Sequence, residues 1–205
     1  TRFLTNYHYK RTRLDDTLSS QIFDNYLKLL DPNRIYFLQG DIDSFERYRF
    51  KMDDALRHSE LHSAYEIFNL YTDRVLERVE FARQRADQPF DFTVDEQYQY
   101  DREEEAWAAS EAELNELWRK RVKNDFLRLK LTNKEPEKIT ETLNERYDNL
   151  ERRISELNSD DVFQFFMNAF AASIEPHTAY MSARNSENFE ISMKLSLEGI
   201  GALLG

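Results

Sequence analysis

Residues 158–205 read NSDDVFQFFMNAFAASIEPHTAYMSARNSENFEISMKLSLEGIGALLG, and the spacing of the apolar residues changes along this stretch. Val162, Phe163, Phe166, Met167 and Phe170 recur at steps of three and four, which predicts an amphipathic helix. Asn158-Ser159 supplies its cap and Pro176 its stop. From Phe189 onward, apolar Phe189, Ile191, Met193, Leu195 and Leu197 alternate with polar Glu190, Ser192, Lys194, Ser196 and Glu198. That alternation predicts a half-buried strand. Of the four glycines, Gly199, Gly201 and Gly205 fall in the last seven residues, so a β-containing unit is expected to open where a helical one ends.

Upstream, the helical period dominates. Leu14, Leu18, Ile22, Tyr26 and Leu29/Leu30 predict a helix over 14–30, ended by Asp31-Pro32. A second is expected over 41–57 on Ile42, Phe45, Met52 and Leu56. A third is expected over 60–86, closed by Pro89. Residues 91–105, with seven acids and one arginine, read as an irregular acidic crossing. A fourth helix is predicted over 110–130 and a fifth through Ile139, Leu143, Tyr147, Leu150, Ile154 and Leu157. Thr132 to Glu135 fits a capping box ahead of that fifth helix, and Pro136 suits an early helical position. No repeat of 20–50 residues recurs, which argues against a solenoid. The expected organisation is mainly α: a helical domain at 1–175, a connector at 176–188, and the first strand and Gly-rich loop of a β-containing domain at 189–205.

The 205 residues carry 28 Lys+Arg and 39 Asp+Glu, a formal charge of −11. This balance argues against a general nucleic-acid binder, which needs a basic face. No apolar run approaches the ~20 residues of a spanning helix. With no cysteine, a thiol nucleophile, a disulfide scaffold and cysteine-ligated zinc are excluded. The 15 Phe and 11 Tyr favour a packed core over disorder. The opening at Thr1, without a leader, is read as a removed signal peptide or an internal fragment.

Candidate chemistry is sparse. His58 and His62 stand four apart, as a zinc pair would on one helix, but a third ligand is not evident and two exposed histidines are the simpler reading. Asp101, Glu103, Glu104 and Glu105 lack the glycine a calcium loop needs and read as a solvated acidic loop. Arg119, Lys120, Arg121, Lys123, Arg128 and Lys130 give residues 119–130 a charge of +5 with Asp125, read as a solvated helix face. His177 reads as a connector histidine. No serine stands in a glycine-flanked elbow or a plausible Ser-x-x-Lys helix start. No catalytic residue, metal or cofactor is therefore assigned. The remaining candidate is Gly199, Ile200, Gly201 and Ala202. Glycine lets successive N–H groups converge into an anion-binding nest, and a chain-terminal carboxylate fits one while its backbone adds to the sheet edge.

The last third resembles the carboxy-terminal processing peptidases, or tail-specific proteases. The resemblance lies in Glu175-Pro176-His177-Thr178-Ala179-Tyr180-Met181-Ser182, in residues 182–189, and in Leu195-Ser196-Leu197-Glu198-Gly199-Ile200-Gly201-Ala202. Two departures are Glu175, where the family usually has Asp, and Ala183, where it often has Pro. Upstream, residues 30–38 (LDPNRIYFL) and 127–132 (LRLKLT) resemble the long branch of that family, which carries a helical domain before a PDZ domain. The resemblance implies a periplasmic serine endopeptidase that selects nonpolar C-termini through its PDZ domain and cuts by a Ser–Lys dyad, with a buried neutral Lys as base. It implies that the dyad lies outside this chain and that Gly199–Ala202 begin the carboxylate-binding loop. It also implies that the helical domain shapes substrate access or docks an adaptor such as a helical-repeat lipoprotein. Implied partners are protein substrates with nonpolar C-termini, with neither nucleic acid nor membrane insertion. Two other readings stand beside it: a non-enzymatic helical interaction module, and a ligand-sensing helical domain with His58 and His62 in play.

Overall fold

A computed structural model of the chain describes residues 12–182 together with Ser186, Phe189 and Met193. Among these it holds seven α-helices: α1 Asp16–Leu30, α2 Gln39–Phe45, α3 Met52–His58, α4 His62–Ala86, α5 Glu111–Lys130, α6 Pro136–Ser155 and α7 Ser159–Ile174. A 3-10 turn, Glu46–Tyr48, follows α2. The one β feature among the described residues is an isolated parallel bridge between Leu38 and Ala108.

Helix starts follow their capping residues. The Asp15 side chain accepts from Leu18 N at 3.1 Å, and Ser110 from Glu113 N at 3.2 Å. Asn158 and Asp161 form the reciprocal box of α7, with Asn158 N donating to Asp161 Oδ2 at 3.0 Å. The box expected at Thr132–Glu135 is not formed. The Thr132 hydroxyl donates to Leu129 O at 2.7 Å, Asn133 takes a left-handed φ of 59°, and α6 begins at Pro136 after an N-cap Glu135 without a side-chain cap. A left-handed Asn at the end of α5 outranks the local signature, because it lets the chain leave one helix before entering the next.

The helix expected over 41–57 is two helices. The buried Ser19 of α1 explains the break: its hydroxyl donates to Arg49 O and accepts from Met52 N, both at 2.8 Å. One hydroxyl from a distant helix satisfies main-chain groups that a continuous helix would have paired internally.

Helix α4, about 37 Å long, is the spine of the molecule. Its first half, through Ala64, Ile67 and Phe68, joins a core with α1, α2, α3 and α7. Its second half, through Val75, Val79, Ala82 and Ala86, joins another with α5 and α6. Tyr71 packs against both. In the first core Tyr26 meets Phe166 edge to face at 5.7 Å, and its hydroxyl donates to Ala64 O at 3.0 Å. In the second, Trp118 is buried and donates to Ile35 O at 2.6 Å. The anticipated core faces hold: Leu18, Ile22, Tyr26 and Leu30 are buried, whereas Leu29, offered as an alternative to Leu30, is 43% exposed.

The strand expected from residue 189 is corrected at two positions. Phe189 and Met193 have helical main chain, as does Ser186, whose N–H donates to Ser182 O at 2.8 Å. A lone strand leaves its ladder groups unpaired, whereas helical backbone pairs its own. The other positions of that strand, and Gly199, Ile200, Gly201 and Ala202, lie outside the described residues.

Candidate functional site

The segment from 87 to 110 that joins α4 to α5 carries no helix and is strapped over α5 at several points. At its start Phe92 lies against Phe90 and Phe126, with centroids 6.1 and 6.0 Å away, and Lys130 Nζ sits 4.6 Å over its ring. In the middle, Glu96 accepts from both Arg119 and Lys123. These donors hold the Glu96 carboxyl far below its ordinary range, at about 2, with Arg119 the larger cause. At its end, Lys28 pairs with Glu103 and the Arg34 guanidinium donates to Glu105 O. The two charge runs read as solvated faces thus meet each other in part. Arg119 and Lys123 of the basic run and Glu96 of the acidic segment form one clamp, because residues 23 and 27 apart in sequence are brought together by the fold.

Between these anchors the chain forms neither helix nor strand. Glu96 and Tyr98 are half-buried while Val94, Asp95, Gln97, Gln99 and Tyr100 are exposed. Among the described residues, the main chain of residues 94–100 makes no hydrogen bond. A cleft of about 590 Å³ lies beside it, with Tyr98, Arg102, Leu117 and Lys120 in its wall. A smaller hollow of about 190 Å³, toward the C-terminal end of α5, is walled by Phe92, Val94 and Leu127 and shares Lys120.

Asp31 organises the turn that receives this strap. Its carboxylate, 1% exposed, accepts from the main-chain N–H of Ile35 at 2.8 Å, Tyr36 at 3.0 Å and Phe37 at 3.1 Å, and from Trp107 Nε1 at 3.3 Å. Burial pushes its pKa above the usual carboxylate range, while those four donors pull the other way. Arg34, at a left-handed φ of 52°, stacks over Trp107 at 4.5 Å. Residues 30–38 therefore act structurally, holding the end of the strap against α1.

The connector after α7 is also fastened. Tyr180 N donates to Asn168 Oδ1 at 2.7 Å and Ser182 N to Gln164 Oε1 at 3.4 Å. Two residues of extended chain cover ~6–7 Å, and four residues of helix cover about 6 Å. The pairing 180 with 168 and 182 with 164 thus describes an extended connector running antiparallel to α7. The Tyr180 ring meets Phe163 edge to face at 5.5 Å, while His177 is exposed. Asn168 and Gln164 escaped the sequence reading; two amides four apart in the otherwise apolar stretch 162–172 were the available signal.

The histidine pair is separated. Helix α3 ends at His58, Ser59 takes φ 60°, and α4 starts at His62, so the two do not share a helical face. His58 Nδ1 lies 3.0 Å from Asp54 O, and His62 Nε2 lies 3.4 Å from Glu66. Among the described residues no group of three or more metal-ligating side chains converges, and no helix is long and apolar enough to cross a membrane.

Residues 1–184 match the family described as Tail specific protease N-terminal domain. Over 202 residues the chain is 42% identical to the Tail-specific protease of Haemophilus influenzae, covering 98% of this chain and 29% of that relative. The chain thus spans under a third of that relative's length.

Proposed function

The chain belongs to the tail-specific protease family, whose N-terminal domain it contains, and on that premise we propose that it is the N-terminal region of a periplasmic serine endopeptidase. The parent recognises nonpolar C-termini of protein substrates and hydrolyses peptide bonds with a Ser–Lys dyad located outside this chain. The helical domain shapes substrate access and offers a surface to an adaptor such as a helical-repeat lipoprotein. Gly199, Ile200, Gly201 and Ala202 begin the loop that receives the substrate carboxylate.

The observation that carries this reading is the family match through residue 184, which ends where the connector has been fastened along α7. A tether fixed by two main-chain donors and one aromatic contact hands the next segment on from a defined point on the helical domain. Substrate selection by a nest of N–H groups requires a charged terminus. The full-length parent is therefore expected to bind a peptide ending in a free carboxylate at least about tenfold more tightly than the same peptide amidated, a difference of about 1.4 kcal/mol. Residues 1–205 alone are expected to cleave no unfolded protein. Equal affinity for the two peptides removes the carboxylate loop from the account. Cleavage by a clean preparation of residues 1–205 contradicts the placement of the dyad.

A further inference from the structure

We propose that the face shared by α5 and α6, where Arg121, Arg128, Arg146 and Arg153 gather, docks an acidic, unstructured stretch of another polypeptide. In a chain with 39 Asp+Glu against 28 Lys+Arg, a cation has carboxylates to spare. Elsewhere on these two helices the pairs do form. Arg119 and Lys123 grip Glu96, Asp148 and Glu151 hold Arg83 of α4, and Lys138 meets Glu141 at 2.6 Å. Among the described residues, Arg121, Arg128, Arg146 and Arg153 form no ion pair. The four are neighbours. Arg121, Arg146 and Arg128 all act on the carboxyl of Asp125, on which no second carboxylate acts among the described residues. Arg121 and Arg153 both act on the phenol of Tyr36. Burial pushes the Asp125 pKa above the usual carboxylate range despite the three guanidiniums, so this acid is a weak counter-ion for them. Asp31, the carboxylate felt at Tyr36, is already taken up by its own four donors.

The chemistry of this face selects its occupant. A guanidinium binds a carboxylate through two parallel N–H donors. Arg128, Arg146 and Arg153 are exposed and free to turn toward one, while Arg121 is held over the Trp118 ring at 4.9 Å. Arg121 and Arg128 stand seven residues apart on α5, as do Arg146 and Arg153 on α6, a rise of about 10.5 Å in each. An extended chain covers that distance in about three residues. Carboxylates at every third position of an extended segment therefore match the guanidinium spacing on both helices. A compact anion spans only part of the stripe. The overall charge of −11 does not prevent docking, because at about 0.15 M salt exposed charges more than ~8 Å away are largely screened. This surface stands independently of the peptidase reading.

The test uses the full-length parent and a fluorescent peptide of about a dozen residues, Glu at every third position among Ser and Gly, with an amidated C-terminus so that a carboxylate loop contributes nothing. The peptide is expected to bind, and replacing its Glu by Gln is expected to weaken binding at least about tenfold. Arg146→Glu and Arg153→Glu are each expected to weaken it by about fivefold or more. Lys138→Glu makes the same change in net charge on α6, but at a cation that already has a partner, and is expected to leave affinity within about twofold. All three are exposed positions, and their unfolding midpoints are expected to stay within about 2 °C of the unaltered protein. No binding by the unaltered parent overturns the proposal, as does equal binding of the Gln peptide. A loss at Lys138→Glu as large as at the two arginines assigns the effect to net charge and also overturns it. Binding to vesicles of anionic lipid without binding to the peptide rejects a polypeptide as the occupant.

Discussion

The first half of α4 packs among rings and aliphatic chains supplied by α1 and α7, whereas its second half faces α5 and α6, two helices dense in charge. In the first core Phe23, Tyr26, Phe37, Phe45, Phe166 and Phe170 are all fully buried, and the hydroxyls of Ser19 and Tyr26 find main-chain partners across it, though Asp53 Oδ1 is left without a hydrogen bond. The second core leaves the Tyr147 hydroxyl and Arg78 Nε buried without partners and pins a long irregular segment to its outer face by ion pairs. The difference teaches that one spine can serve two purposes. One end is closed mainly by burial of rings, and the other holds a long irregular segment in place by ion pairs.

The comparison breaks most severely if the first core is not the stronger. Phe166→Ala removes a fully buried ring in edge contact with Tyr26, and a loss of about 3–5 kcal/mol is expected in chemical unfolding. Trp118 lies in the other core, so its fluorescence should report the same destabilisation, because α4 couples the two halves. A Trp118 signal that keeps its original midpoint shows two independent units.

A smaller change sharpens the second half. Glu96→Gln keeps the size of the side chain and removes the charge that Arg119 and Lys123 grip, for an expected loss of about 2 kcal/mol near neutral pH. The folded carboxyl protonates only near pH 2, whereas an unfolded one does so near 4.5. The clamp's contribution is therefore complete above about pH 4.5 and fades as pH falls toward 2. Acid titration of stability is expected to be flatter over that window in the variant. An identical acid profile removes Glu96 as the anchor.

Much of the first core was legible. The steps Leu18, Ile22, Tyr26 and Val162, Phe166, Phe170 identify faces that are buried, since a helix in contact along its length must repeat every three or four residues. The break within 41–57 was not, because Phe45 and Met52 stay in helical phase across it and the hydroxyl that causes it belongs to Ser19. The strap was legible as irregular chain but not as a held one. Glu96 is one acid among seven until Arg119 and Lys123 are brought beside it, and Asp31 looks like a helix stop until the following turn points three N–H groups at it.

Hydrogen exchange of residues 94–100 tests the central claim most directly, that ion pairs and ring contacts pin down a segment whose backbone stays unpaired. In the full-length protein these amides are expected to exchange fast beside slowly exchanging α1 and α7. Amides at 94–100 as strongly protected as those of α1 and α7 would contradict it.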